Sequence, residues 1–196
     1  MARSRDGGGT FDAAVNVSGF ETGNVIPRYP VIALDPEDVV YVSWNNFDGN
    51  AGLGDCLLAV STDSQKFTIA NNLSNATYFS GAVTDWPSIK TDSSGNLIAV
   101  WREWVNAPYR MNDTERDVFF TRCSSGGTSC APPINISTSL GDTLLNAGGG
   151  QIQRPSLAVD ASGRVYVFYD DDTSGSTQVM MWTPPQGFAS LLSEPR

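Results

Sequence analysis

Without a single histidine, the chain must perform any chemistry with carboxylates, tyrosines and arginines. Ser-His-Asp and Cys-His catalysis, histidine-ligated zinc and imidazole proton transfer are excluded together. Two constellations stand out. The first is Arg102-Glu103-Trp104-Val-Asn-Ala-Pro-Tyr109-Arg110, in which Trp104 and Tyr109 can stack on a sugar or peptide plane and Arg102 and Arg110 can fork onto a carboxylate. The second is acidic, Asp48-Gly-Asn50-Ala-Gly52 with Asp55, and Asp170-Asp171-Asp172, where Asp48, Asp55 and Asp170 offer acceptors to hydroxyls. Oxygen-rich loops of this kind can hold calcium, although the spacing is not that of an EF-hand, and no other cofactor is expected. A solvated loop and solvated charge are the competing readings of the two sets.

Those side chains need a scaffold, and the scaffold is repetitive. Pro30-Val-Ile-Ala-Leu-Asp35, Pro87-Ser-Ile-Lys-Thr-Asp92 and Pro155-Ser-Leu-Ala-Val-Asp160 each set a proline five positions before an aspartate. A turn and a second β-rich run follow each: Val39 to Trp44, Leu97 to Trp101 and Val165 to Tyr169. Third runs span Asp55 to Ser61, Asp117 to Arg122 and Gln178 to Trp182, and fourth runs Phe67 to Ser74, Cys130 to Ser137 and Phe188 to Ser193. Closing serines at 18, 74, 137 and 193 are spaced 56, 63 and 56 residues apart. Four short strands per period, with no helical periodicity between them, predict an all-β β-propeller of four-stranded antiparallel blades. A β-sandwich also has short strands but does not explain the repetition. The chain therefore reads as one propeller segment over residues 1–196. Its blades span about 29–74, 85–137 and 154–193, and one extra outer strand lies near 12–18.

A second motif lies between the third and fourth strands of each blade. Ser4-Arg-Asp6-Gly-Gly8-Gly-Thr10-Phe11 fits S-x-D-x-G-x-T-F; Ser61-Thr-Asp63-Ser-Gln-Lys-Phe67 is a shortened copy. Cys123-Ser-Ser125-Gly-Gly127-Thr-Ser-Cys130 keeps the length with serine in place of the acid. Here the chain resembles the BNR, or Asp-box, repeats of the sialidase-like β-propellers, over nearly its whole length. The turn chemistry makes the box structural: the aspartate accepts turn amides, glycine supplies positive φ and the aromatic fills the gap between sheets. The triplets Asn16-Val-Ser18, Asn72-Leu-Ser74 and Asn135-Ile-Ser137 recur with the blade period, which suggests strand-end hydrogen bonding rather than glycan attachment. The resemblance implies, for an active sialidase, arginines clamping a carboxylate, a Tyr/Glu nucleophile pair and an acid. In this chain Arg28 in Arg28-Tyr29-Pro30, with Tyr109, Glu103 and Asp48, are the residues that such a site would draw on.

Acidic residues exceed basic ones, 21 to 12, for a net charge of −9, which disfavours a nucleic-acid partner or a polybasic membrane anchor. Apolar runs of about five residues, such as Leu97 to Trp101, are far below a membrane span, and no membrane insertion is expected. No signal-peptide h-region follows Met1; the opening reads as mid-repeat, and a secreted or cell-surface parent is expected. Cys123 and Cys130 bracket a short loop and can pair, or all three cysteines are small buried apolar residues. The first expectation for function is a non-catalytic BNR/Asp-box segment that binds a glycan or protein ligand. The alternative is an exo-sialidase fragment acting on terminal sialosides once a complete propeller assembles. Long loops gather on the face bearing the second-to-third and fourth-to-first connections, where binding is expected. Three blades cannot close a ring, so homodimerisation or membership of a longer propeller is expected.

Overall fold

The computed structural model describes residues 1–19, 25–49, 53–74, 83–104, 116–137, 154–171 and 176–185. These residues form eleven strands and no helix. Strands β1 (Val25–Leu34), β2 (Val40–Asp48), β3 (Leu53–Ser61) and β4 (Thr68–Asn72) run as an antiparallel meander. Strands β5 (Val83–Thr91), β6 (Leu97–Trp104), β7 (Arg116–Cys123) and β8 (Ile134–Asn135) form a second, and β9 (Ser156–Val159), β10 (Val165–Asp171) and β11 (Gln178–Trp182) a third. One parallel pair, Gly54 with Val83, joins the first two meanders, and Thr84 Oγ1 donates to the Gly54 carbonyl at 2.8 Å.

The three sheets stack face to face because their strands alternate between two apolar faces. From β6, Leu97, Ala99 and Trp101 join Tyr41, Cys56, Leu58 and Leu73 of the first meander. The intervening Ile98 and Val100 join Leu157, Val165 and Val167 of the third. Leu73 and Ile136, each preceding a closing serine, face the following meander, and Val17, preceding Ser18, likewise packs on the first meander's outer face beside Val40, Val42 and Trp44.

The repeat aspartates turn out to hold the first turn of each meander. Asp35 Oδ1 accepts the Glu37 and Val39 amides, Asp92 Oδ1 those of Ser94 and Asn96, and Asp160 Oδ1 those of Ser162 and Arg164, all at 2.9–3.0 Å. Closing serines do the equivalent work at the opposite end. Ser74 Oγ accepts the Cys56 amide and Ser137 Oγ the Val118 amide, both at 3.0 Å, while Asn72 and Asn135 side chains accept from those same serines. The Asn72 and Asn135 triplets are thus strand-end clamps.

Within the first box, Asp6 accepts the Thr10 amide and hydroxyl at 2.9 and 2.7 Å, and the Gly8 amide donates to Ser4 Oγ at 2.7 Å. In the third, where serine replaces the acid, a Cys123–Cys130 disulfide closes the loop. This resolves the cysteines: one pair is bonded, and Cys56 is a free buried thiol whose pKa burial pushes up to about 12. The disulfide loop also reaches the first meander. The Gly126 amide donates to the Tyr41 hydroxyl at 2.9 Å, and that hydroxyl donates to Asp35 Oδ2 at 3.0 Å. Gly127, at φ 68°, leaves no room for a side chain, since a Cβ there would lie 2.6 Å from Leu58.

Two sequence expectations need correction. Residues 12–18 do not form a strand; the Val15 and Met1 backbones exchange hydrogen bonds and the Asp12 amide donates to the Arg3 carbonyl, so the segment is a hairpin arm too short for a ladder. The second strands also run further than their apolar alternation, β2 to Asp48, β6 to Trp104 and β10 to Asp171, because ladder pairing continues through polar residues. Asp48, Arg102, Glu103, Trp104 and Asp170, expected in loops, therefore lie in strand ends. The expected fourth strand of the last blade, 188–193, lies outside the described residues.

Two tests follow from this packing. Tyr41→Phe should cost about 1–3 kcal/mol in urea unfolding, because the Gly126 amide loses its buried acceptor; an unchanged midpoint would show that the latch contributes nothing. The second concerns pH. Burial pushes Asp92 upward, but hydrogen bonds from the Asn96 side chain and amide, the Ser94 amide and nearby Arg122 outweigh it and lower its pKa. Asp160 is lowered chiefly by the Ser162 hydroxyl and the Arg164 amide. A carboxyl depressed on folding stabilises above its unfolded pKa of about 4 and loses that contribution as pH falls through its folded value. The urea midpoint should therefore fall progressively below about pH 4, and less steeply in Asp92→Asn.

Candidate functional site

The first strands β1 and β5 each carry a bulge immediately before the repeat proline, between Arg28 and Val31 and between Asp85 and Ser88. At the bulges Tyr29 and Trp86 adopt φ of 55° and 53°. A bulky residue there is strained, and a following proline restricts it further; such conformations cost about 1–3 kcal/mol and persist only where the surroundings impose them. The surroundings here are each other. The Tyr29 and Trp86 rings stack with centroids 3.9 Å apart and planes 25° apart.

Arg154, which precedes the third repeat proline, places its Cζ 3.8 Å from the Trp86 centroid. Two groups this close to one ring cannot share a face, so Trp86 is sandwiched between Tyr29 and Arg154. Arg28 extends the column, with its Cζ 4.0 Å from the Phe47 centroid and 5.7 Å from that of Tyr29. Cation–π contacts of this kind contribute about 0.5–2 kcal/mol each. They also fix where two guanidinium groups stand at one end of the three inner strands. Arg28 Nε is buried without a hydrogen-bond partner, and among the described residues neither Arg28 nor Arg154 has a carboxylate partner.

Arg102 and Arg122 are committed to carboxylates. Arg102 forks onto its register partner Asp85, Nε to Oδ1 at 2.6 Å and Nη2 to Oδ2 at 2.5 Å, and both residues are buried. Expected to clamp a ligand, Arg102 is instead held inside by this pair. Burial, then the Arg102 charge, lowers the pKa of neighbouring Arg116, with Asp85 opposing. Arg122 pairs with Asp92.

The other expected site residues are dispersed. Glu103 is fully buried between the first two sheets and accepts the Trp101 indole N–H at 3.1 Å. Asp55 is exposed at the start of β3, where Ser74 Oγ donates to it at 3.3 Å. Asp48 ends β2 opposite Val25 and Leu53, and Asp170 lies in β10 opposite Val179. Trp104 ends β6, its backbone paired with Val83 and Arg116; its side chain, with Tyr109 and Arg110, lies outside the described set. Among the described residues, no three of the His, Cys, Asp and Glu type come together as a metal site. Sequence reasoning found Arg28 but passed over Phe47, Trp86 and the stacking role of Tyr29. The available signal was register: Tyr29, Trp86 and Arg154 each precede a repeat proline.

No family model matches the chain, and no curated protein matches it. Solved structures do. A Hadza microbial sialidase superposes with a TM-score of 0.61 at 12% identity, over 82% of this chain and 35% of the sialidase. A protein of unknown function from Dyadobacter fermentans gives 0.61 at 14% identity, over 86% and 54% of the two chains. An endo-arabinase from Bacteroides thetaiotaomicron gives 0.51 at 16% identity, over 89% and 61%. The likeness is one of fold, and the chain spans only 35% to 61% of these structures' own length.

The different fates of the arginines are testable by stability. Arg102→Met should cost about 3–5 kcal/mol in urea unfolding, since it strands a buried Asp85 carboxylate, and Asp85→Leu in the same chain should restore much of it. A small loss in the single variant would return Arg102 to the list of ligand contacts.

Proposed function

We propose that the chain is a segment of a BNR/Asp-box β-propeller that binds carbohydrate, and that Arg28 and Arg154, at the two ends of the aromatic column, each offer a contact to an acidic group of the ligand. The observation that carries this reading is the column itself: two guanidinium groups, backed by Phe47, Tyr29 and Trp86 and without a carboxylate partner among the described residues. The stacked three-sheet architecture and the hydrogen-bonded Ser4–Asp6–Thr10 box support a propeller blade series. The fold likeness to a sialidase and an endo-arabinase supports a role with glycans. The disulfide agrees with a secreted or cell-surface setting, where such bonds persist. No described helix is long and apolar enough to cross a membrane.

Trp86 has both faces covered, so aromatic stacking on a sugar falls to other rings and the arginines supply the selectivity. Binding without turnover is the favoured reading. The exo-sialidase alternative draws support from Arg28 at the inner strand, but Glu103 is sealed between sheets and does not reach that column's solvent side.

Calorimetry against a panel of sialylated and uronic-acid oligosaccharides, with neutral arabino-oligosaccharides alongside, tests the proposal. The acidic glycans should bind preferentially, and Arg28→Ala or Arg154→Ala should each weaken them about tenfold or more, the scale of a charge-assisted contact. Equal affinity for neutral and acidic sugars, or indifference to both substitutions, would exclude the arginine site. Release of fluorophore from a sialoside, abolished by Arg28→Ala, would select the enzyme instead.

A further inference from the structure

Among the described residues, the contact between the first and second meanders has two half-copies that are left unmatched. In that contact the Tyr41 hydroxyl donates to Asp35 and accepts the Gly126 amide from the glycine turn of the next meander. The third meander repeats the acid–tyrosine pair in register, with Tyr166 donating to Asp160 Oδ2 at 3.3 Å. Val165, Val167 and Tyr169 are buried against the second meander, so Tyr166 lies on the opposite, outward face. On that face Phe168 and its register partner Met181 are 41% and 60% exposed, and Val179 is 78% exposed. Among the described residues no donor reaches the Tyr166 hydroxyl.

The other half stands at the start of the chain. The box Ser4–Phe11 has the length of Cys123–Cys130, which aligns Gly7 with Gly126 and Phe11 with Cys130. Gly7 shares the positive φ of Gly126, 70° against 83°. Cys130 packs into the core between the first two meanders, whereas Phe11 is 65% exposed, and no described acceptor takes the Gly7 amide.

We propose that this chain associates head to tail with a second copy of itself. The N-terminal hairpin of one copy seats on the outer face of the other's third meander. The Gly7 amide meets the Tyr166 hydroxyl, and Phe11 enters among Phe168, Val179 and Met181. The occupant is a second copy because the two halves, unmatched among the described residues, belong to one chain and repeat the glycine amide and the tyrosine–aspartate pair of a contact that the chain already forms internally. Such a contact is heterologous, so it propagates or closes a ring according to its angle.

Sedimentation velocity on the full chain tests this from micromolar to submillimolar concentration. The wild type should associate as concentration rises. Phe11→Glu and Phe168→Glu should each be monomeric alone, yet an equimolar mixture should form a dimer that grows no further, because one intact contact remains. Tyr166→Phe should weaken association several-fold with its thermal midpoint retained. Circular dichroism checks folding, and Val179→Lys replaces Phe168→Glu if that variant does not fold. A wild type that stays monomeric, association persisting in either single variant, or a mixture that fails to dimerise would each overturn the proposal.

Discussion

Burial of the second sheet on both faces is the constraint from which the rest of the architecture follows. A strand covered on one side alternates apolar and polar residues, but β6 must be apolar at every position from Leu97 to Trp101 because each face meets a different neighbour. Beyond Trp101 the ladder continues into charged residues that are still enclosed, and enclosed charges need partners. Arg102 meets Asp85 across the ladder, and Glu103 meets the Trp101 indole. The Arg102–Asp85 ion pair is thus a consequence of extending a doubly covered strand, and it holds the Arg102 guanidinium inside.

The arrangement at the pre-proline end follows from the same stacking. Bringing three first strands side by side puts the residues before their prolines within reach of one another. Tyr29 and Trp86 reach a stack only by taking left-handed φ at a bulge, and the stack in turn stabilises that strained backbone. Arg154 covers the remaining Trp86 face, so both faces of that ring are closed, and among the described residues neither arginine of the column has a carboxylate partner. An arginine with an internal carboxylate is neutralised in place, whereas one held only by ring quadrupoles keeps its full attraction for an external anion.

Much of the fold was legible because it is written in repeats. The proline–aspartate spacing marked first strands and their turns, and the recurrent Asn-x-Ser marked fourth-strand ends, since each repeat solves one local hydrogen-bonding problem with the same residues. Strand ends were less legible, because ladder hydrogen bonds use the backbone and continue through Asn45 or Arg102 without an apolar signal. The site was legible only in part. Arg28 stood out by its neighbours in sequence, but the commitment of Arg102 depends on Asp85, seventeen residues away and visible only through register. Trp86 reads locally as one more buried aromatic; its role emerges when the three pre-proline positions are superposed.

The box end, expected to be structural, holds the first two meanders in mutual register. Asp6 and Asp63 clamp their own turns, yet the third box, where cysteines have taken over that task, is the one whose turn reaches across to the preceding sheet. Closing the loop covalently fixes its tip without using a carboxylate, and the Gly126 amide bonds outward to Tyr41. The two ends suit different tasks by chemistry: neutral amide–hydroxyl contacts with exact geometric requirements align one sheet on the next, while at the far end guanidinium groups without a carboxylate partner among the described residues carry the proposed ligand contact. Neutral contacts suit the first task because they hold position without long-range attraction for wrong partners. Unpaired charge suits the second because it draws and orients an anion before contact is made.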